Sequence, residues 1–152
     1  MPGAALCHTT PVRIVLDTSV LVAALTQPRG AAARILRAWR DGALEVVSSD
    51  ATYREAELIA GARWLERIAG RDAVAALLRD LRERTVRVRP RGIRDLALKD
   101  EGDLRLVEAA VAGKAAFLIT ADREVLRARG YRACEFVTPS EFWRRWGGAP
   151  AP

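Results

Sequence analysis

The chain is poor in the residues from which many functional sites are built. It has one histidine, His8, and two cysteines, Cys7 and Cys134, in 152 residues. Two unpatterned cysteines make neither a disulfide framework nor a zinc site, and they suit a reducing cytoplasm. A lone histidine ahead of the first strand leaves no histidine pair for general acid–base catalysis. No apolar run approaches the roughly 20 residues that a membrane-spanning helix needs. The opening M-P-G-A-A-L-C-H-T-T-P lacks the basic region and long apolar stretch of a secretory signal. No G-x-G-x-x-G follows the first strand, which excludes the dinucleotide-binding fingerprint. Ser19 stands where a D-x-D phosphatase has its second acid. The acidic pair after the first strand and the lysine after the last strand of a phosphoacceptor receiver domain are missing too. Lysine itself is almost absent, since Lys99 and Lys114 are the only two among 25 basic residues.

What is present fits one domain with a full core: 50% of the residues are hydrophobic and 29% charged. The expected domain covers residues 12–146, with residues 1–11 and 147–152 as flexible termini. The net charge is +6 and the isoelectric point about 10.3. A basic surface around an acidic site suits a substrate that carries phosphates. The excess of arginine and alanine is equally what a high-GC genome produces, so charge by itself decides little.

Hydrophobic periodicity orders the elements. Residues 13–16 (R-I-V-L) read as a buried strand, followed by Val20, Leu21, Ala24 and Leu25 at helical spacing up to the break at Gln27-Pro28-Arg29-Gly30. A second helix spans 31–41 and stops at Gly42, and a second strand runs from Leu44 to Val47. Ser48 or Ser49 caps a helix to about Ala60. An amphipathic helix over 71–84, a strand at 86–88 and an irregular basic stretch, Arg89-Pro90-Arg91-Gly92, come next. A helix over 101–112 ends at Gly113, and A-F-L-I-T at 116–120 is the clearest strand. A short helix at 123–128, a strand at 135–137 and a last helix through Phe142, Trp143 and Trp146, opened by Thr138-Pro139-Ser140-Glu141, complete the chain. Strands alternating with helices predict an α/β fold of three layers, with a parallel sheet covered on both faces and its first strand central.

Four acids fall where a strand gives way to a helix or just inside one. They are Asp17 (R-I-V-L-D-T-S), Glu55 (S-S-D-A-T-Y-R-E), Asp103 (K-D-E-G-D-L) and Asp122 (F-L-I-T-A-D-R-E). Each has an ordinary alternative. Asp17 and Asp122 can be helix caps, Asp100 can cap the helix of Asp103 in a reciprocal box, and a helical Glu55 can be merely solvated. Taken together, three of them end at one edge of a parallel sheet, where carboxylates converge on one crevice. Clustered carboxylates either stay partly protonated or share a divalent cation. Hard oxygen ligands with positions left to water suit Mg²⁺ or Mn²⁺ at a phosphodiester. The pattern points to a metal-dependent nuclease.

The same residues carry a resemblance. V-R-I-V-L-D-T-S-V-L-V-A-A-L, S-S-D-A-T-Y-R-E-A-E-L, D-E-G-D-L-R-L-V-E-A-A-V-A-G-K-A-A-F-L-I-T-A-D-R-E-V-L and V-T-P-S-E-F together resemble the PIN domain over roughly residues 12–143, in the form of the PIN-type toxins of prokaryotic toxin–antitoxin systems. The third segment is the most specific: D-x-x-D, a helix ending in Ala-Gly, a strand and then T-x-D. The resemblance places the family's metal-binding acids on Asp17, Glu55, Asp103 and Asp122 and its strand-end hydroxyl on Thr120. It departs at Ser19, where many members have Asn, and after Glu55, where the usual Leu-rich continuation is missing.

The resemblance implies a cytoplasmic endoribonuclease using Mg²⁺ or Mn²⁺. It would hydrolyse single-stranded RNA to leave a 5′-phosphate and a 3′-hydroxyl. It also implies a cognate antitoxin protein as partner, with no membrane, and a homodimer. The alternative is a catalytically inactive PIN-like module that only binds RNA or protein. Trp39, Trp64, Trp143 and Trp146 are candidate contacts for a partner, or else residues of the core.

Overall fold

The first two strands, Val12–Leu16 (β1) and Leu44–Ser48 (β2), are short and largely apolar, and each is buried over its last three residues. The structure is a computed structural model that describes residues 10–147. Cys7, His8 and most of the expected flexible ends (1–11 and 147–152) lie outside the described residues, which leave out 1–9 and 148–152. Thr85–Arg87 (β3), Phe117–Ile119 (β4), Gly130–Tyr131 (β5) and Cys134–Val137 (β6) complete a six-stranded sheet in the order β3-β2-β1-β4-β6-β5. All neighbours run parallel except β5 and β6, which form an antiparallel pair. β1 lies inside the sheet, with Ile14 beside Val46 on one side and Leu16 beside Ile119 on the other.

Because side chains alternate along a strand, both faces of this buried sheet carry apolar residues. Ile14, Leu16, Val46, Ile119 and Val137 face one layer of helices. That layer holds α1 (Thr18–Thr26), α2 (Ala31–Arg40), α3 (Asp50–Ala60) and α5 (Arg71–Glu83). Val15, Val47, Leu118 and Phe136 face the other, under α6 (Glu101–Ala112) and α7 (Arg123–Ala128). The result is the expected three-layer α/β arrangement, in a sheet that is mixed only at one edge. α6 ends tightly against β2. A Cβ on Gly113 would lie 2.4 Å from Val47 Cγ1, so glycine is what lets the helix close there.

Three local features differ from expectation. A further helix, α4 (Arg63–Ala69), follows α3 directly; its exposed Trp64 and Ile68 break the amphipathic pattern that would reveal it. β5 is only two residues long and has no periodicity to detect. The last α-helix, α8 (Pro139–Phe142), is a single turn that widens into a π-type turn over Trp143–Gly147. The wider turn stacks Trp146 on Phe142 with ring centroids 5.4 Å apart, while Phe142 meets Phe117 edge-on. Thr138 caps α8 through the Glu141 amide. α3 has the full reciprocal box instead: Ser49 Oγ accepts from Thr52 N–H, and Ser49 N–H donates to Thr52 Oγ1.

Candidate metal centre

After β1 the chain moves outward to β2 and β3, and α6 brings it back to β4 on the other side. Such a reversal opens a crevice at the carboxyl ends of the two central strands, here β1 and β4. Asp17 is the first residue after β1. It sits at the N-cap of α1, yet its side chain makes no capping bond. Its carboxylate is held across the crevice instead. Thr120, the first residue after β4, is fully buried, and its hydroxyl donates to Asp17 Oδ2 at 2.7 Å. The same hydroxyl oxygen accepts the Asp122 amide at 3.0 Å. One side chain therefore sets the position of both aspartates.

Asp122 caps α7, with Oδ1 accepting the Glu124 amide at 2.8 Å and the Val125 amide at 3.5 Å. Asp100 caps α6 by accepting the Gly102 amide at 2.7 Å. This is the cap half of the reciprocal box expected with Asp103. Asp103 follows in the first turn and is turned inward. It is 7% exposed, and its Oδ2 is buried with no hydrogen-bond partner among the described residues. Burial, reinforced by the charges of Asp122, Asp100, Asp17 and Glu124, pushes its carboxyl up to about 7.

Glu55 reaches the crevice from α3, which meets α6 over the edge of the sheet. Its carboxyl is also raised, first by desolvation and then by the charges of Asp17 and Asp100. It lies against the first turn of α6, where glycine makes the room. A Cβ on Gly102 would stand 3.1 Å from Glu55 Oε2 and 3.0 Å from Asp100 Oδ1.

The structure thus gathers Asp17, Glu55, Asp103, Asp122 and Thr120 around one crevice. Asp100 and Glu124 join them, although neither stood out in the sequence as more than a cap or a first-turn acid. Glu124 Oε1 also accepts the Lys99 amide at 2.9 Å, tying α7 to the segment before α6. The acids line the crevice without closing into a cage. Among the described residues, no three His, Cys, Asp or Glu side chains converge as they stand on a point for an ion. Like-charge repulsion favours that spread, and Asp122 and Asp100 are each committed by one oxygen to a helix N-terminus.

The donors nevertheless fit a hard divalent cation. All are carboxylate oxygens, and a buried carboxylate oxygen with no partner is costly unless something satisfies it. Gly102→Ala tests how closely the crevice is built. Helix propensity favours alanine over glycine by about 1 kcal/mol, while the new methyl group displaces the carboxylate ends of Glu55 and Asp100. Disturbing Asp100 weakens the cap it makes to the Gly102 amide, worth about 1 kcal/mol, so we expect a melting temperature close to the wild type, with weaker Mn²⁺ binding by calorimetry. An alanine variant that binds Mn²⁺ as the wild type does would show that Glu55 takes no part in the centre.

Comparisons with known proteins accord with this geometry. A family model of the PIN domain matches residues 13–124, from β1 through the start of α7. Comparison with the curated proteins gives no match. Among solved structures, the chain is similar to one described as VapBC2 from Rickettsia felis bound to a DNA fragment from their promoter. The TM-score is 0.52 and the identity 14%, over 82% of this chain and 98% of that one. At that identity the likeness concerns the fold.

Proposed function

The chain belongs to the PIN-domain family, and on that premise we propose that it is a metal-dependent endoribonuclease that cleaves single-stranded RNA as the toxin of a toxin–antitoxin pair. One observation carries the reading: the buried, unpartnered Asp103 Oδ2 beside Asp17, whose carboxylate Thr120 holds in place. Asp17 and Asp103 would hold the principal Mg²⁺ or Mn²⁺, with Asp122 and Glu55 completing the site. Such an ion supplies a bound water of lowered pKa and offsets charge on the attacked phosphate.

The chain's own groups prepare that chemistry. Thr120 fixes Asp17 through one oxygen and Asp122 through its amide, so the two acids keep their spacing as the crevice fills. Asp103 carries a proton for much of the time near neutrality, and a cation held there would have to displace it. Hydrolysis adds water to phosphorus and breaks the bond to the 3′ oxygen, leaving a 5′-phosphate and a 3′-hydroxyl.

The surface beside the crevice supports a protein partner. Leu58 lies one turn beyond Glu55 on α3 and is 75% exposed, with Ile68 and Trp64 of α4 also exposed. An antitoxin segment running from the acidic crevice over α3 would bury Leu58. Of the four tryptophans, Trp39 is buried in the core and Trp143 and Trp146 pack against it, which leaves Trp64 as the exposed contact. A second copy of the chain belongs to the same proposal. So does a cytoplasmic location; among the described residues no helix is long and apolar enough to cross a membrane.

The test is turnover of end-labelled single-stranded RNA. Cleavage should require Mg²⁺ or Mn²⁺, stop in EDTA and return with either ion. A folded protein that leaves RNA intact in both ions would overturn the nuclease reading.

A further inference from the structure

Away from the crevice, Arg89, Arg91, Arg94 and Arg132 line a cleft of about 650 Å³ together with Tyr131 and Asp95. Arg89, Arg91 and Arg94 belong to the segment joining β3 to α6, and Arg132 follows β5. None of the four forms an ion pair among the described residues. Only seven of the other arginines do, so what sets the cleft apart is that four unpaired guanidinium groups line one concave surface with a single acid. Asp95, the one acid in the lining, accepts the Tyr131 hydroxyl.

The segment carrying the arginines is anchored. Ile93, Leu96 and Leu98 pack on the layer of α6 and α7. The Ile93 amide donates to Glu108 Oε2 at 3.0 Å, and buried Glu108 is paired in turn with Arg105. The Asp95–Tyr131 bond ties the same segment to β5. Guanidinium groups on a fixed backbone are preorganised for the forked hydrogen bonds that phosphate oxygens accept. Arg132 lies over the Tyr131 ring, 5.1 Å from its centroid, so the cleft offers a base a guanidinium stacked on an aromatic ring.

Placement gives the cleft a purpose. It opens by Val111 and Ala112, at the opposite end of α6 from Asp103, about 13 Å away at 1.5 Å per residue. The acids of the crevice repel a phosphate chain wherever no cation stands between them. A nucleic-acid strand needs its cationic hold elsewhere. We propose that the arginine cleft is a second phosphate-binding site, gripping the flank of a single-stranded RNA whose scissile bond lies in the acidic crevice. This rests on the nuclease reading for its substrate, and its test does not depend on cleavage.

The experiment measures binding of a fluorescent uridine homopolymer in EDTA, across a salt series. The wild type is compared with Arg89→Ala/Arg91→Ala/Arg94→Ala/Arg132→Ala and with the matching all-lysine variant, each checked by circular dichroism. At about 0.7 per phosphate contact, losing three contacts makes the slope of log K against log salt less negative by about 2, which is on the order of 100-fold in affinity at about 0.1 M salt. The lysine variant should keep most of the slope, since it keeps the charge, and so serves if the alanine variant folds poorly. With Mn²⁺, KM for the homopolymer should rise and turnover of the dinucleotide UpU stay unchanged. Equal affinity and slope in wild type and alanine variant overturn the cleft while leaving the nuclease reading in place. Arginine-dependent binding without any cleavage removes the nuclease and keeps the cleft as an RNA-backbone site. Arginine-dependent capture of poly-glutamate with no RNA binding overturns the proposal.

Discussion

Replacing Asp17, Asp103 or Asp122 singly by asparagine should lower RNA turnover on the order of a thousandfold or more, because groups that act as a unit fail together. The fold should survive each change. Asp17 makes no capping bond, so its loss does not unwind α1. Asparagine at 122 can still cap α7 through its carbonyl oxygen, whereas alanine would forfeit a cap worth about 1 kcal/mol. Asparagine at 103 is tolerated because the native carboxyl already favours its neutral form. What each change removes is a negative oxygen facing the crevice. With His8 the only histidine in the chain, no histidine pair is available to generate a nucleophile another way. Double substitutions should therefore cost scarcely more than single ones.

Glu55→Gln should reduce turnover less, since Glu55 stands at the exposed rim. Thr120 is a positioning residue, and its test separates position from packing: Thr120→Ser should keep activity, while the near-isosteric Thr120→Val should lower kcat with little change in KM. The measurement is initial-rate kinetics on single-stranded RNA in Mn²⁺, with circular dichroism on every variant. Full turnover by a folded Asp103→Asn protein would end the nuclease assignment.

Much of this centre was legible because its acids are tied to strand ends. R-I-V-L-D and F-L-I-T-A-D each mark a buried strand stopping at a carboxylate. In a sheet with β1 and β4 adjacent, those two stops must meet, as the Thr120–Asp17 bond shows. Glu55 had no such anchor in its own helix. Its place depends on α3 crossing the edge of the sheet to meet α6, and Gly102 records that approach only once the structure is known. Asp100 and Glu124 were hidden by their local roles, since an acid that caps a helix looks the same in sequence whether or not other acids surround it. The helix α4 was missed for the opposite reason: Trp64 and Ile68 face outward, and Leu65 alone is buried, which leaves no apolar face to read. The arginine cleft joins two stretches some 40 residues apart, 89–94 and 131–132, through the Tyr131–Asp95 bond. No periodicity links them, so the basic run after β3 reads in sequence only as a solvated loop.

In EDTA, the contribution of Asp103 should make the protein less stable as pH rises through the weakly acidic range. The sign follows from proton counting. Asp103 titrates near 3.8 when unfolded and at about 7 when folded, so between those values the folded chain holds a proton that the unfolded chain has lost. Stability from this group is complete below the lower value, declines across the interval and stays low above the upper one. Glu55, also raised, acts in the same direction. Asp95 and Glu135 are lowered, by the hydrogen bonds from Tyr131 and Arg145 respectively, and contribute oppositely, but their effect falls at the acid end, below the ordinary carboxylate range. At ~1.4 kcal/mol per unit the Asp103 ceiling is ~4 kcal/mol, and a crevice open to water on one side realises less.

A divalent cation reverses the effect by stabilising the charged form. Mg²⁺ or Mn²⁺ should therefore raise the melting temperature more at about pH 8 than at about pH 5.5, where it must displace a proton to bind. Asp103→Asn removes both halves of the behaviour: its metal-free form should be more stable than the wild type at about pH 8, with a flatter pH profile and a much smaller response to the ion. The measurement is differential scanning calorimetry of both proteins at the two pH values, with EDTA and with Mg²⁺. Parallel profiles for wild type and Asp103→Asn, with equal metal responses, would show that the buried carboxyl is neither the source of the pH dependence nor a ligand of the ion.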